Sequence, residues 1–422
     1  VSHITEIKKN GIESYSERTI KKPQEFELRT LLKHCYQCGR CSGVCQLSKV
    51  QKYPPSKIIQ LILEGFEEKV LESGTLWDCL TCNSCLQNCP QDINFADLVR
   101  LARFKMINLK NQNPDEYIAH KGMYTTISEI MSQQDTIPNR DLGWIPEGCE
   151  ISDTGSTLYY VGCLPFFNFE FEDIDPIAIS TLKIICQVES APVVVLREEI
   201  CCGHDIYWGQ GKLDEFDILA HKNISAFKKA GIKTIVTACA ECYRTFKVDY
   251  ADKFEEFRDQ FEVKHIIEYV YDNWKKNKLR FQTPGVRNEI IPFTFHDPCR
   301  LSRFLPKEND ILEKTREIFG EFKKLGYEFK EMDHNKKNSL CCGVSAWMNC
   351  NEKSKALRYK RMLEAKEAGS ILVTSCPKCR IHLKCLQNDF EDIASIEILD
   401  FSEFVVDHIE PIDNNEESEA SE

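Results

Sequence analysis

The chain has 422 residues, 42% hydrophobic and 28% charged, enough for two or three domains with sizeable cores. Its net charge of −12 argues against a nucleic-acid partner, because a phosphate backbone calls for a basic surface. No apolar run approaches the ~20 residues of a membrane span, and the polar stretch from Val1 to Lys33 lacks the apolar core of an export signal.

In chain order, residues 1–30 read as a loose polar arm with one helical stretch, Gln24 to Leu32. Residues 31–108 read as an α-helical, ferredoxin-like domain. It carries the runs Cys35-x₂-Cys38-x₂-Cys41-x₃-Cys45 and Cys79-x₂-Cys82-x₂-Cys85-x₃-Cys89-Pro90. Between the runs, Ile58, Ile59, Ile62, Leu63 and Phe66 recur at helical spacing and predict a helix over Pro55–Leu71. Leu98, Val99, Leu101, Ala102 and Met106 predict another over Phe95–Leu109. Residues 109–156 are punctuated by proline and glycine and read as a connector around one helix near Tyr124–Ser132.

From residue 157 the pattern changes. Short β-rich runs at Thr157–Val161, Pro192–Leu196, Thr234–Thr237, Pro292–Phe295 and Ile371–Thr374 alternate with amphipathic helices at Leu213–Ala230, Ala251–Lys275 and Glu352–Gly369. That alternation predicts α/β layers. The segment is also an internal repeat. Cys163, Cys201-Cys202-Gly203 and Cys239-x₂-Cys242 are matched by Cys299, Cys341-Cys342-Gly343 and Cys376-x₂-Cys379, over spans of 79 and 80 positions. The expected architecture is therefore multidomain: the all-α domain, then two repeated α/β domains, 157–288 and 289–406, related by a pseudo-two-fold axis. Residues 407–422 hold seven acidic residues and no Lys or Arg, and read as a solvated, disordered tail.

The cysteines carry the chemistry. Twenty-two of them without an export signal imply a reducing compartment, the cytoplasm, and thiols that act as ligands. A four-iron cube needs four thiolates, and the fourth cysteine of each ferredoxin run serves the other cube. By that rule Cys35, Cys38, Cys41 and Cys89 hold one cubane [4Fe–4S] cluster, and Cys79, Cys82, Cys85 and Cys45 the other. Zinc shares the Cys-x₂-Cys spacing and is the competing metal. The adjacent pairs cannot easily cap two corners of one cube, which suggests a more open cluster. Gly203 and Gly343 would then let the backbone pass close to it.

These motifs, "YYVGC", "CCGHD", "ACAEC", "HDPCRL", "CCG" and "SCPKC", resemble the catalytic subunit of heterodisulfide reductases, the CCG-domain family. Residues 31–108 resemble the small ferredoxin-like subunit, so the whole resembles a fusion of the two. The resemblance implies two non-cubane [4Fe–4S] clusters facing each other across a disulfide substrate. Cys163, Cys201, Cys202, Cys239 and Cys242 would hold one, and Cys299, Cys341, Cys342, Cys376 and Cys379 the other. It also implies partners that load electrons: flavin-containing or other oxidoreductase subunits, a hydrogenase or formate dehydrogenase module, or a membrane cytochrome that would place the chain at the membrane surface. The chain itself lacks a dinucleotide fingerprint.

Around the ligands, His204 reads either as a structural hydrogen-bond partner of a sulfur or carbonyl or as the candidate proton donor for a disulfide becoming two thiols. His296 and Asp297 read as structural. Arg300, Arg303 and Lys378 read either as attractors of an anionic substrate or as a salt-bridged face. Tyr207, Trp208, Trp347 and Met348 read as cluster shielding ahead of a substrate cage, and Cys149, Cys186, Cys350 and Cys385 as small core residues. The function expected is an iron–sulfur oxidoreductase subunit with a disulfide-reductase-like site. Two rivals stand beside it: an electron relay for another oxidoreductase (lactate, glycolate or glycerol-3-phosphate dehydrogenase, quinone-linked, or a benzoyl-CoA reductase-type complex), and a non-catalytic metal-binding scaffold. Zinc in one repeat also stays open.

Overall fold

The computed structural model describes residues 26–120, 122–132, 142–167, 174–282, 289–343 and 350–412. Most of the expected arm, and the tail from 413 onward, lie outside them.

The N-terminal domain is helical around its cysteine loops. Of the stretch predicted at Gln24–Leu32, a short 3₁₀ helix forms at Leu28–Leu32. The single helix predicted over Pro55–Leu71 is instead two, Pro55–Leu63 and Glu67–Glu72, because the chain reverses at Gly65, where φ is +87°. Phe66, counted on the buried face, is left exposed at that turn. The helix Phe95–Lys110 forms as predicted. The side chain of Asn94 accepts from the Asp97 N–H at its start, and Asn111 ends it in the left-handed conformation.

The C-terminal two-thirds hold two parallel sheets. Strands β1 (Ile151–Ser152), β2 (Thr157–Tyr159), β3 (Val193–Val194), β4 (Thr234–Thr237) and β5 (Glu262–His265) lie in the order β1-β3-β2-β4-β5. After β6 (Leu279–Phe281), strands β7 (Ile291–His296), β8 (Tyr327–Phe329), β9 (Ile371–Thr374) and β10 (Glu397–Asp400) lie in the order β10-β9-β7-β8. With β1 set aside the two orders match, β3-β2-β4-β5 against β8-β7-β9-β10. Each inner edge strand leads straight into a helix opened by a capping box, His265 with Glu268 and Asp400 with Glu403.

The repeats are stitched reciprocally. The first helix of one repeat, Asp175–Cys186, packs on the last helix of the other, Phe401–Val406. Likewise Ile266–Lys275 packs on Ile311–Glu321. Strand β6 pairs antiparallel with β11 (Ile409–Pro411), its counterpart, with Arg280 opposite Glu410. This corrects the expectation that the chain leaves the fold at 407. It also corrects the helix predicted over Ala251–Lys275, which is cut by β5. There Val263 and His265 are buried while Glu262 is exposed. That alternation is too short to stand out between two amphipathic helices, and it becomes a strand through pairing with β4.

Candidate metal centres

In an open parallel sheet, ligands bind beyond the carboxyl ends of the strands, where the strand order reverses. In the first repeat that crevice lies between β2 and β4. Cys163 follows β2, Cys239 and Cys242 follow β4, and Cys201 and Cys202 end the loop after β3. In the second repeat Cys299 follows β7, Cys376 and Cys379 follow β9, and Cys341 and Cys342 end the loop after β8. One topology thus delivers five thiols to each crevice.

In the helical domain, Cys35, Cys38, Cys41 and Cys89 line one cavity of about 400 Å³, which Cys85 also touches. Cys45, Cys79, Cys82 and Cys85 line another of about 570 Å³. The fourth cysteine of each run therefore sits with the other run. Left-handed turns at Gln37, Gly39, Thr81 and Asn83 curl the loops around these cavities. Backbone amides turn onto sulfur, Thr81 N–H to Cys79 Sγ at 3.4 Å and Ile93 N–H to Cys89 Sγ at 3.3 Å. Burial, then the neighbouring Cys82 and Cys79, pushes the Cys45 thiol up to about 12.

In the first repeat, Cys163, Cys201, Cys202, Cys239 and Cys242 line a cavity of about 350 Å³, and the thiols of Cys201, Cys202, Cys242 and Cys239 form a hydrogen-bonded chain. In the second, Cys299, Cys341, Cys342, Cys379 and Cys376 form a chain of five beside a cavity of about 240 Å³, whereas Cys163 of the first repeat stands outside its chain. Cys239 and Cys376 also hydrogen-bond each other, so the two groups touch. Thiolates at this density repel, and a sulfur-loving metal relieves that cost. Five thiols exceed the four of a tetrahedral zinc site, so the donor set fits a larger iron–sulfur group better than one zinc.

The two glycines have a reason other than the one expected. Gly203 and Gly343 adopt φ of +86° and +83°. A Cβ on Gly203 would lie 2.8 Å from the Phe216 ring, and one on Gly343 would lie 2.9 Å from the Ser354 carbonyl and 2.7 Å from the Arg358 side chain. They allow a left-handed turn against a packed helix, rather than close approach to the metal.

Charged groups mark the boundary between the sites. Glu241 and Lys378 occupy equivalent places, each just before the last ligand of its repeat, and both line both cavities. Lys378 Nζ lies 2.5 Å from Glu241 Oε2 and 2.5 Å from Asp205 Oδ2. Burial opposes the charge on Lys378, but Asp205 and Glu241 hold it well above the ordinary lysine range. Asp205 opens a π-helical turn, Asp205–Gly209, a form frequent at functional sites. His204, just before it, lines the first cavity, with Nδ1 2.9 Å from Thr245 Oγ1 and Nε2 accepting from Arg300 Nε at 3.1 Å. Burial, then Arg300 and Lys378, keeps His204 neutral.

The second site abuts the helical domain. Arg303 Nε donates to Cys82 O at 2.7 Å, Arg300 Nη1 donates to Thr81 O at 2.7 Å, and the Cys341 N–H donates to Gln46 Oε1 at 3.3 Å. The first site is joined to that domain less directly, through Arg103, which donates to Trp208 O at 2.8 Å and to Cys79 O at 2.6 Å.

Other candidates fall outside the cavities. Asp297 is a buried partner of Arg316, and His296 Nδ1 accepts from Arg361, as their structural reading expects. Tyr207 stacks on Phe216, and Trp208 packs edge-on against Phe304. Cys149 and Cys186 contact each other, Cys350 accepts from Arg358, and Cys385 is exposed. Trp347 and Met348 lie outside the described residues. Residue reasoning missed Glu241, Asp205, Thr81, Gln46 and His382, whose Nδ1 lies 3.5 Å from Cys342 Sγ. The one available signal was Glu241 against Lys378 in otherwise matching Cys-x₂-Cys motifs.

Comparison with known proteins agrees with this layout. Residues 31–93 match the 4Fe-4S dicluster domain family, and residues 157–247 and 293–384 match the cysteine-rich domain family CCG. One subunit of the dihydromethanophenazine:CoB–CoM heterodisulfide reductase from Methanosarcina mazei is 27% identical over 344 residues, covering 79% of this chain and 77% of the relative. One subunit of the fumarate reductase (CoM/CoB) of Methanothermobacter marburgensis is 25% identical over 86% of this chain and 70% of its own length. The EtfAB:quinone oxidoreductase of Syntrophomonas wolfei is 23% identical over 74% of this chain and 43% of its own length. No helix among the described residues is long and apolar enough to cross a membrane. The chain is an iron–sulfur oxidoreductase subunit related to that heterodisulfide reductase subunit, with a 4Fe-4S dicluster domain ahead of two CCG domains.

Proposed function

We propose that this subunit passes electrons through two cubane [4Fe–4S] clusters to two non-cubane [4Fe–4S] clusters, where a small disulfide is reductively cleaved. The single observation that carries the reading is the contact between the two five-cysteine groups at Cys239 and Cys376, with Glu241 and Lys378 lining both cavities. A disulfide yields two sulfurs, and two adjoining metal sites suit that outcome: RS–SR′ plus two electrons and two protons gives RSH and R′SH. Cys35, Cys38, Cys41 and Cys89 would hold one cubane, and Cys45, Cys79, Cys82 and Cys85 the other. The two groups of five would hold the non-cubane clusters. When bound, these groups supply one-electron redox steps and open iron positions for sulfur.

The chain's own residues do the rest. Lys378 places a fixed positive charge where thiolate character develops, and the carboxylates of Asp205 and Glu241 keep it there. His204, which lines the first cavity, is the candidate for proton delivery, as a neutral imidazole that takes up the proton it hands on, while Lys378 keeps its own proton as the fixed charge. The pseudo-two-fold relation of the repeats also belongs to this proposal. The antiparallel β6–β11 pair and the reciprocal helix packing support it. Partners are expected to be electron-donating oxidoreductase subunits, flavin-containing ones included.

A second reading is favoured by the relatives named for fumarate and quinone reactions, which share much of the same chain. There the protein relays electrons without cleaving a disulfide. Anaerobically loaded protein, reduced chemically and mixed with a panel of small disulfides or a short-chain quinone, separates the two. Two thiols released per electron pair support cleavage, and oxidation by quinone alone supports relay. Iron analysis on the same sample should give about 16 irons per chain. Half that number with stoichiometric zinc would overturn the ligand assignment.

A further inference from the structure

One guanidinium sits where three of these sites meet. Arg300 follows Cys299 directly and lines the second cavity. Its Nη1 donates to Thr81 O at 2.7 Å and its Nη2 donates to Thr81 Oγ1 at 2.9 Å. Thr81 lies between Cys79 and Cys82 in the helical domain. The remaining donor, Nε, reaches His204 Nε2 at 3.1 Å, two residues past Cys202. The side chain is 1% exposed and its guanidinium lies 4.3 Å over the Phe304 ring. The first repeat has Leu164 at the equivalent place.

Thr81 adds an independent observation. It is β-branched and held at φ +47°, a conformation such residues rarely adopt. Strain of this kind persists where the surroundings over-determine it. Gln37, the equivalent position of the outer run, is left-handed as well, at φ +59°, so the turn belongs to the cysteine loop itself. The fork of Arg300, reaching in from another domain, grips that turn only in the inner run.

We infer that Arg300 is a positioning residue that sets the reduction potentials of the inner cubane and the adjoining repeat sites together, through one buried fixed charge and its two-pronged grip on the Thr81 turn. A buried cation favours the reduced, more negative form of any nearby redox group, and low surrounding polarity strengthens the effect. A single residue shared by three sites moves them in the same direction. A lysine would keep the charge but lose the planar, two-pronged grip on Thr81.

This inference rests on the ligand assignment proposed above, and its test keeps the two apart. Arg300→Gln and Arg300→Lys would be purified anaerobically, counted for iron, and titrated potentiometrically with EPR detection. In Arg300→Gln, reduction should become at least tenfold less favourable at the inner cubane, about 59 mV for one electron, with a shift of the same sign at the repeat sites. Arg300→Lys should recover most of that shift and leave a broadened inner-cubane signal. Full iron with unshifted potentials in Arg300→Gln would overturn the inference while sparing the ligand assignment. So would a lysine variant shifted as far as the glutamine one. Loss of the cubane signals in both variants, with iron retained elsewhere, would show a role confined to holding the loop and would also overturn it. Wild-type protein lacking one class of signal would instead defeat the ligand assignment.

Discussion

The two CCG repeats share a strand order and a pattern of five cysteines, yet they differ at positions that face their common boundary. Leu164 in the first repeat stands where Arg300 stands in the second, and Glu241 in the first stands where Lys378 stands in the second. Both differences place a cation on the second copy. Lys378 then pairs with carboxylates of the first copy, and Arg300 reaches both the helical domain and His204. Duplication explains the common scaffold. Opposite charges at equivalent places explain why the copies pack against each other at the site, and why the second copy meets the cysteine loops of the helical domain.

If both repeats are needed for cleavage, Cys202→Ala and Cys342→Ala should each reduce disulfide turnover to background while leaving reducible cubanes, seen by EPR. Activity surviving in one variant would break the equivalence of the copies. Crossing of the fourth ligands predicts that Cys45→Ser damages the cluster of Cys79, Cys82 and Cys85, and that Cys89→Ser damages the cluster of Cys35, Cys38 and Cys41. Site-resolved iron anomalous density checks this, and iron at Cys45 shared with its own run would refute it.

The charge pairing across the boundary gives the next largest effect. Lys378→Met leaves Asp205 and Glu241 buried without their cation, and should destabilise the fold by about 3–5 kcal/mol. Glu241→Gln in the same chain should recover part of that loss. Denaturant unfolding under anaerobic conditions measures both, and a neutral single variant would mean the pair is not formed.

Smaller effects separate the two adjacent-cysteine loops. Alanine at either glycine must adopt a left-handed φ, at a cost of about 1–3 kcal/mol. Gly343→Ala should lose more than Gly203→Ala, because its Cβ meets a backbone carbonyl rather than an aromatic edge alone. Least of all, Arg280→Ala in the ribbon joining the repeats removes a half-exposed pair with Glu410 and should change stability by no more than about 1 kcal/mol.

Much of this was legible in the residues. Cysteine spacing marked the four cysteine groups that line the cavities and the internal repeat, because such groups recur at fixed short separations whatever the fold around them. Long periodic helices such as Phe95–Lys110 and Leu213–Ala230 were legible for the same local reason. Strands β5, β8 and β10 were not, since Glu262 and Lys264, Glu328, and Glu397 and Asp400 break the apolar runs that marked β4 and β9, and they become strands only through partners far away in sequence. Nor could spacing say which sites adjoin. Contact of Cys239 with Cys376, the sharing of Lys378 between copies, and the reach of Arg300 to Thr81 and His204 join residues from 96 to 219 positions apart. The amino-acid sequence determined the cysteine groups and the repeat through local chemistry. Tertiary packing alone decided their juxtaposition, because buried charges find their partners across domains rather than along the chain.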